Sequence, residues 1–104
     1  MRVTHSLALV ALAMLEMSRD GVGRIWGYQL SKISGVRSGV LYPQLDRMMV
    51  EGWLEDHWED KSPEEKRPPR RYYTLTDTGR IELGAIAQRV QTERRFTTLR
   101  GAFA

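Results

Sequence analysis

The residues best equipped for chemistry are two histidines, a run of carboxylates and the cations that follow it. Glu55, Asp56, Glu59, Asp60, Glu64 and Glu65 precede Lys66, Arg67, Arg70 and Arg71. Clustered cations bind phosphate without regard to sequence, largely by releasing counterions. The same cations can instead offset the carboxylates beside them and hold the segment folded back. His5 and His57 are solitary, with no nucleophile–base arrangement around either. His57 beside Asp56 and Glu59 is the nearest approach to a metal set, but neighbouring strand residues point to opposite faces. There is no cysteine, which removes thiolate metal sites and a disulfide framework. Nor is there a phosphate-binding glycine loop. The expectation is a protein that is not an enzyme, with no cofactor and no metal.

With 104 residues, the chain is long enough for one domain, near the low end of what buries a sufficient core unaided. Its formal net charge of +3 favours an anionic partner through long-range attraction. The apolar run from Ser6 to Leu15 imitates a secretory leader, with Ala11-Leu12-Ala13 in place of a cleavage site. Cleavage there would leave a core shorter than the ~7–15 residues a leader needs, and the run falls short of the ~20 that span a membrane. A buried helix of a cytoplasmic protein is the expectation.

The elements that position the charged residues follow from periodicity and caps. Thr4 to Met17 reads as a helix, with Thr4 or Ser6 placed to cap it. It is apolar on nearly every face and so must be covered all round. That exceeds what one small domain supplies and suggests a partner chain. Ser18 to Gly23 breaks it. Trp26 to Ile33 reads as a second helix, with Tyr28, Leu30 and Ile33 among its buried residues, ended by Ser34-Gly35. A third runs from about Ser38 to Glu51, with Leu41, Leu45 and Met48 on one face and Gly52 as its stop. Two helices joined by so tight a turn outline a helix-turn-helix. Trp53–Trp58 and Arg70–Leu75 read as strands flanking a charged tip, in which Pro63, Pro68 and Pro69 bar regular structure. Trp53, Trp58, Tyr72 and Tyr73 are expected to pack in the sheet and core. Thr76 caps a last helix, from Asp77 to about Leu99, with Asp77 in its first turn where negative charge suits the helix dipole.

Four segments carry a resemblance: Gly27-Tyr28-Gln29-Leu30, Ser38-Gly39-Val40-Leu41-Tyr42-Pro43-Gln44-Leu45, Glu51-Gly52-Trp53-Leu54, and Arg71-Tyr72-Tyr73-Thr74-Leu75-Thr76-Asp77-Thr78-Gly79-Arg80. In this order, over about residues 5 to 90, they resemble the PadR family of transcriptional regulators. The Leu-Tyr-Pro of the third helix and the Tyr-x-Leu-Thr-x-x-Gly after the wing are its specific parts. The resemblance implies a mainly α winged helix-turn-helix with a small β-hairpin. It also implies dimerisation through the terminal helix, repression of promoters, and in many members release of DNA by a small molecule held between subunits. Two departures stand out. The C-terminal part is a single helix, as in the smaller branch of the family, and the wing tip is acidic before it turns basic.

On this reading, residues 1–76 form the DNA-binding domain and 77–104 the dimerisation helix of one structural unit. Arg37, Ser38, Gly39, Tyr42, Pro43 and Arg47 of the third helix are expected at the major groove, where small residues allow close approach. Lys66, Arg67, Arg70 and Arg71 are expected at phosphates or the minor groove. The last helix carries two apolar stripes, Ile81, Ala85, Phe96, Leu99 and Phe103 on one and Leu83, Ile86 and Val90 on the other. One stripe can serve the chain's own first helix and the other a partner. Leu9, Leu12, Ile81, Ala85, Val90, Phe96 and Leu99 are the expected dimer contacts. The expected partners are a homodimer mate and double-stranded DNA with a two-fold symmetric site. A small aromatic effector is a further expectation, with Trp26, Met14 and Met17 as an apolar lining. A winged helix used for protein interaction, and an architectural DNA-binding factor of a mobile element, are the alternatives that composition leaves open.

Overall fold

The computed structural model describes residues 1–19 and 23–101. Phe103 lies outside them. Helix α1 (His5–Met17) opens on Thr4, whose hydroxyl accepts a hydrogen bond from the Leu7 N–H at 3.1 Å. That satisfies one of the donors left free in a first helical turn. Leu7, Ala8, Val10, Ala11, Ala13 and Met14 are buried, while Leu9, Leu12 and Leu15 stay half-buried. The chain thus covers most of this helix by itself, and the expected all-round apolar surface narrows to one stripe.

A two-residue strand β1 (Ile25–Trp26) comes next and leads directly into α2 (Gly27–Ser34). Trp26 is therefore a strand residue, not the first residue of the helix. Gly35 adopts φ +73° and closes α2, a left-handed conformation that costs glycine nothing. The Ser31 hydroxyl donates to the Val36 carbonyl at 2.8 Å, and the Ser34 hydroxyl accepts from the Val36 N–H at 3.1 Å. Both bonds pin Val36 as a buried plug between α2 and α3 (Ser38–Val50). Leu30 is fully buried, but Tyr28 and Ile33 are exposed. The inward stripe of α2 is Gly27, Leu30 and Ser34, at helical spacing, and neither Tyr28 nor Ile33 lies on it.

Strands β2 (Leu54–Trp58) and β3 (Arg71–Leu75) pair antiparallel, with Leu54 opposite Leu75 and Trp58 opposite Arg71. β1 adds to the far side of β3, Ile25 opposite Tyr73, so the sheet order is β1-β3-β2. Helix α4 (Asp77–Thr92) packs against α1. Thr76 ties its start twice, donating to the Gly52 carbonyl at 2.6 Å and accepting from the Gly79 N–H at 2.9 Å. Gly79 is required sterically: a Cβ there would overlap the Trp53 carbonyl, whose carbon would be 2.9 Å away.

The expected single terminal helix ends at Thr92. Glu93 turns out to φ −88°, ψ 131°, and a 3-10 segment follows over Arg94–Leu99. The break is held by the Arg100 guanidinium, which donates to the carbonyls of Val90 at 2.8 Å and Glu93 at 3.0 Å. It returns Phe96 to the core edge-on to His5, with ring centroids 5.1 Å apart. No helix of the described residues is long and apolar enough to cross a membrane.

Candidate nucleic-acid interface

Three faces of α3 have different surroundings. Leu41, Leu45 and Met48 are fully buried; each such side chain contributes about 1.5–3 kcal/mol of transfer free energy. One flank turns toward the wing. The Tyr42 ring lies over Gly27, where a Cβ would meet its hydroxyl at 2.5 Å, and the Met49 sulfur accepts from the Arg71 guanidinium at 3.7 Å. Gly39, Val40, Pro43, Asp46, Arg47 and Val50 form the outward face, all exposed. A side chain at Gly39 would meet nothing within 4 Å. Pro43 is the sixth residue of the helix; its missing N–H frees the Gly39 carbonyl one turn back. Arg37 and Ser38 stand exposed at the N-terminal end. Among the described residues, neither Arg37 nor Arg47 has an ion-pair partner.

The wing divides its cations. Arg67 is paired with Glu59, and also with Glu65 at 3.2 Å. Glu59 further accepts from the Arg70 backbone N–H at 2.9 Å. The hydrogen bond from Arg67 is the main reason the Glu59 carboxyl is held below the usual glutamate range. The Lys61 ammonium donates to the Glu65 carbonyl at 2.8 Å and to that of Arg67. Arg71 is paired with Asp56 at 2.9 Å and lies 5.2 Å from the centre of the Tyr73 ring. Arg67 and Arg71 are thus engaged by the wing's own carboxylates. Among the described residues Lys66 and Arg70 have no such partner, and the Arg70 guanidinium lies 5.7 Å from the centre of the exposed Tyr28 ring. His57 donates to or accepts from the Thr74 hydroxyl at 2.9 Å and stacks on Tyr72, centroids 5.1 Å apart.

The residues expected at a dimer contact fall into three groups. Val90 and Phe96 are fully buried in the chain's own core, so the side chains themselves are unavailable to a partner. Leu9, Leu12 and Leu99 are half-buried against that core. Ile81, 70 % exposed, and Ala85 point outward from α4.

The model of the PadR-like transcriptional regulator family matches residues 24–85, from β1 to the middle of α4. The chain belongs to the PadR-like family. No curated protein sequence matches it. Solved structures of PadR-like regulators share its winged-helix fold. One from Bacillus cereus is 26 % identical, with a TM-score of 0.62 over 90 % of this chain and 93 % of that one. A PadR family regulator from Clostridium difficile is 17 % identical, with a TM-score of 0.63 over 86 % and 95 %. A Streptococcus mutans protein, 20 % identical, covers 100 % of this chain and 96 % of its own at a TM-score of 0.65.

Within this PadR-like frame, the structure adds residues that sequence reasoning left in the core. Tyr28 stands beside Arg70, and Trp58 is 63 % exposed at the outer end of β2, whereas Trp53 and Tyr73 are buried as expected. Val40 and Val50, which helical spacing already sets opposite the Leu41-Leu45-Met48 face, are exposed on α3 as expected, Val50 by 87 %. For Tyr28 a signal existed: it is off the Gly27-Leu30-Ser34 stripe. For Trp58 there was none, since its exposure depends on where the hairpin ends.

Proposed function

We propose that the protein is a cytoplasmic, homodimeric repressor of transcription that binds double-stranded DNA at a two-fold symmetric site. One observation carries the reading. α3 presents an open outward face carrying Arg47, with Arg37 at its start, and among the described residues neither these two nor Arg70 and Lys66 of the wing beside it has a carboxylate partner. A 13-residue helix is about 20 Å long, and the major groove admits such a helix. Arg47 reaches base edges, and Arg70 and Lys66 reach phosphates, which position the protein without reading sequence. Exposed Ile81 and Ala85 on α4 and half-buried Leu9 and Leu12 on α1 supply the contact with the second copy. The place proposed for a planar aromatic effector is a cleft of ≈ 570 Å³ lined by Met17, Trp26 and Ile33 together with the polar Glu16, Arg24, Gln29 and Lys32. Met14 is fully buried elsewhere in the core and does not line it.

The test is selection of bound sequences from random duplex DNA with the purified chain. An enriched inverted repeat supports the regulator. A loose preference for A·T pairs would replace it with an architectural role, and no enrichment with a protein-interaction module.

A further inference from the structure

The outward face of α3 is poor in hydrogen-bonding groups. Gly39 offers only backbone, Val40, Pro43 and Val50 are aliphatic, the exposed Asp46 carboxylate only accepts, and Arg47 alone carries side-chain donors. Val40 is 47 % and Val50 87 % exposed. Two bare valines on one helix stripe are a standing cost in water, recovered only when something apolar covers them. Asparagine, which reads adenine with two hydrogen bonds, is absent from α3, and its one glutamine, Gln44, is half-buried off this face with its Oε1 enclosed. Among the groups that base pairs display in the major groove, the thymine 5-methyl is the apolar one.

From this placement we infer that Val40 and Pro43 read thymine 5-methyl groups, while Arg47 supplies the hydrogen bonds of the same half-site to a guanine edge. The inference rests on the DNA-binding reading above. Gly39 lets the helix start sink far enough for these short side chains to arrive. Val40 and Pro43 are separated by a rise of about 4.5 Å along the helix, close to the ~3.4 Å between successive bases of a strand. Arg47 is about 10.5 Å beyond Val40, a span of about three base steps at that spacing. Each half-site then contains neighbouring thymines and, about three steps away, a guanine.

Replacing thymine by deoxyuridine deletes only the methyl. Duplexes recovered by selection would be rebuilt with one such replacement at a time, made in both half-sites, and their affinities measured for the wild-type chain and for Val40→Ala. Loss of one buried methyl corresponds to about fourfold in each half-site, hence about fifteenfold in both. That loss is expected at one or two positions, and Val40→Ala should bind the methylated and unmethylated duplexes at one of them alike. Val40 is exposed, so the variant keeps its core. If every deoxyuridine duplex binds as tightly as its thymine parent, or if Val40→Ala retains the full discrimination, methyl readout by this face is wrong while DNA recognition stands. If selection enriches nothing, the DNA-binding reading falls and this inference with it.

Discussion

At the scale of single residues, two contacts make claims that substitution and titration can check. Gly79 approaches the Trp53 carbonyl so closely that a methyl group has no room, and the opposing atom is backbone. Gly79→Ala should therefore destabilise the fold by about 1–3 kcal/mol, the usual range for overpacking. Helix propensity alone would favour alanine there, so a variant with an unchanged or higher urea midpoint would refute the close approach. Glu59 is the second case. Its carboxyl is held below the ordinary glutamate value chiefly by Arg67, so the wing tie contributes fully above the unfolded value. The tie is lost as pH falls through the lower, folded one. Carboxyl NMR titration should find Glu59 protonating below the ordinary glutamate value, and Arg67→Ala should move it back up.

At the scale of elements, caps and the core stripe of α3 were legible, whereas the stripe of α2 and the strand register were not. Thr4 and Thr76 as helix starts, Gly35 and Gly52 as stops, and Leu41, Leu45 and Met48 as the core face all follow from side-chain chemistry and 3.6-residue spacing. β1 is invisible in sequence because two residues have no periodicity; pairing with β3 creates it. The break at Glu93 is equally hidden. It depends on Arg100 reaching back to carbonyls seven to ten residues earlier, which helical patterning does not encode. The wing is the instructive case. Its composition allowed both phosphate contact and self-pairing, and ion pairing within the wing separates the cations: the Arg71 guanidinium meets Asp56 and that of Arg67 meets Glu59, whereas among the described residues the Arg70 side chain meets no carboxylate. Arg70→Ala should accordingly weaken binding to specific and random duplexes by similar factors. It should also reduce the slope of log affinity against log salt by about one per subunit. An unchanged salt slope would mean that the wing stays clear of the DNA. On α4, Ile81→Glu alters an exposed position and should leave the fold intact. Light scattering should then fall from twice the chain mass to the single-chain value of 12.0 kDa; a variant still dimeric would place the contact elsewhere.

At the scale of the whole molecule, the order helix, helix-turn-helix, wing and long helix was readable because each boundary carries its own local signal. How much of each helix a second copy covers was not. α1 looks unfinished in sequence because nearly all its residues are apolar, yet α4 and α2 cover most of it within one chain. Half-buried Leu9 and Leu12 on α1 and exposed Ile81 and Ala85 on α4 are the surface proposed for a second copy. Two copies related by a two-fold axis would present two α3 helices to half-sites about 10–10.5 base pairs apart. The central claim is that this assembly distinguishes one duplex from another. Its most direct test is competition between the selected inverted repeat and random duplex, at about 0.15 M salt, for the intact chain. A preference of about a thousandfold or more, lost when either half-site is scrambled, is the predicted result. Equal affinity for the repeat and for random DNA would contradict it.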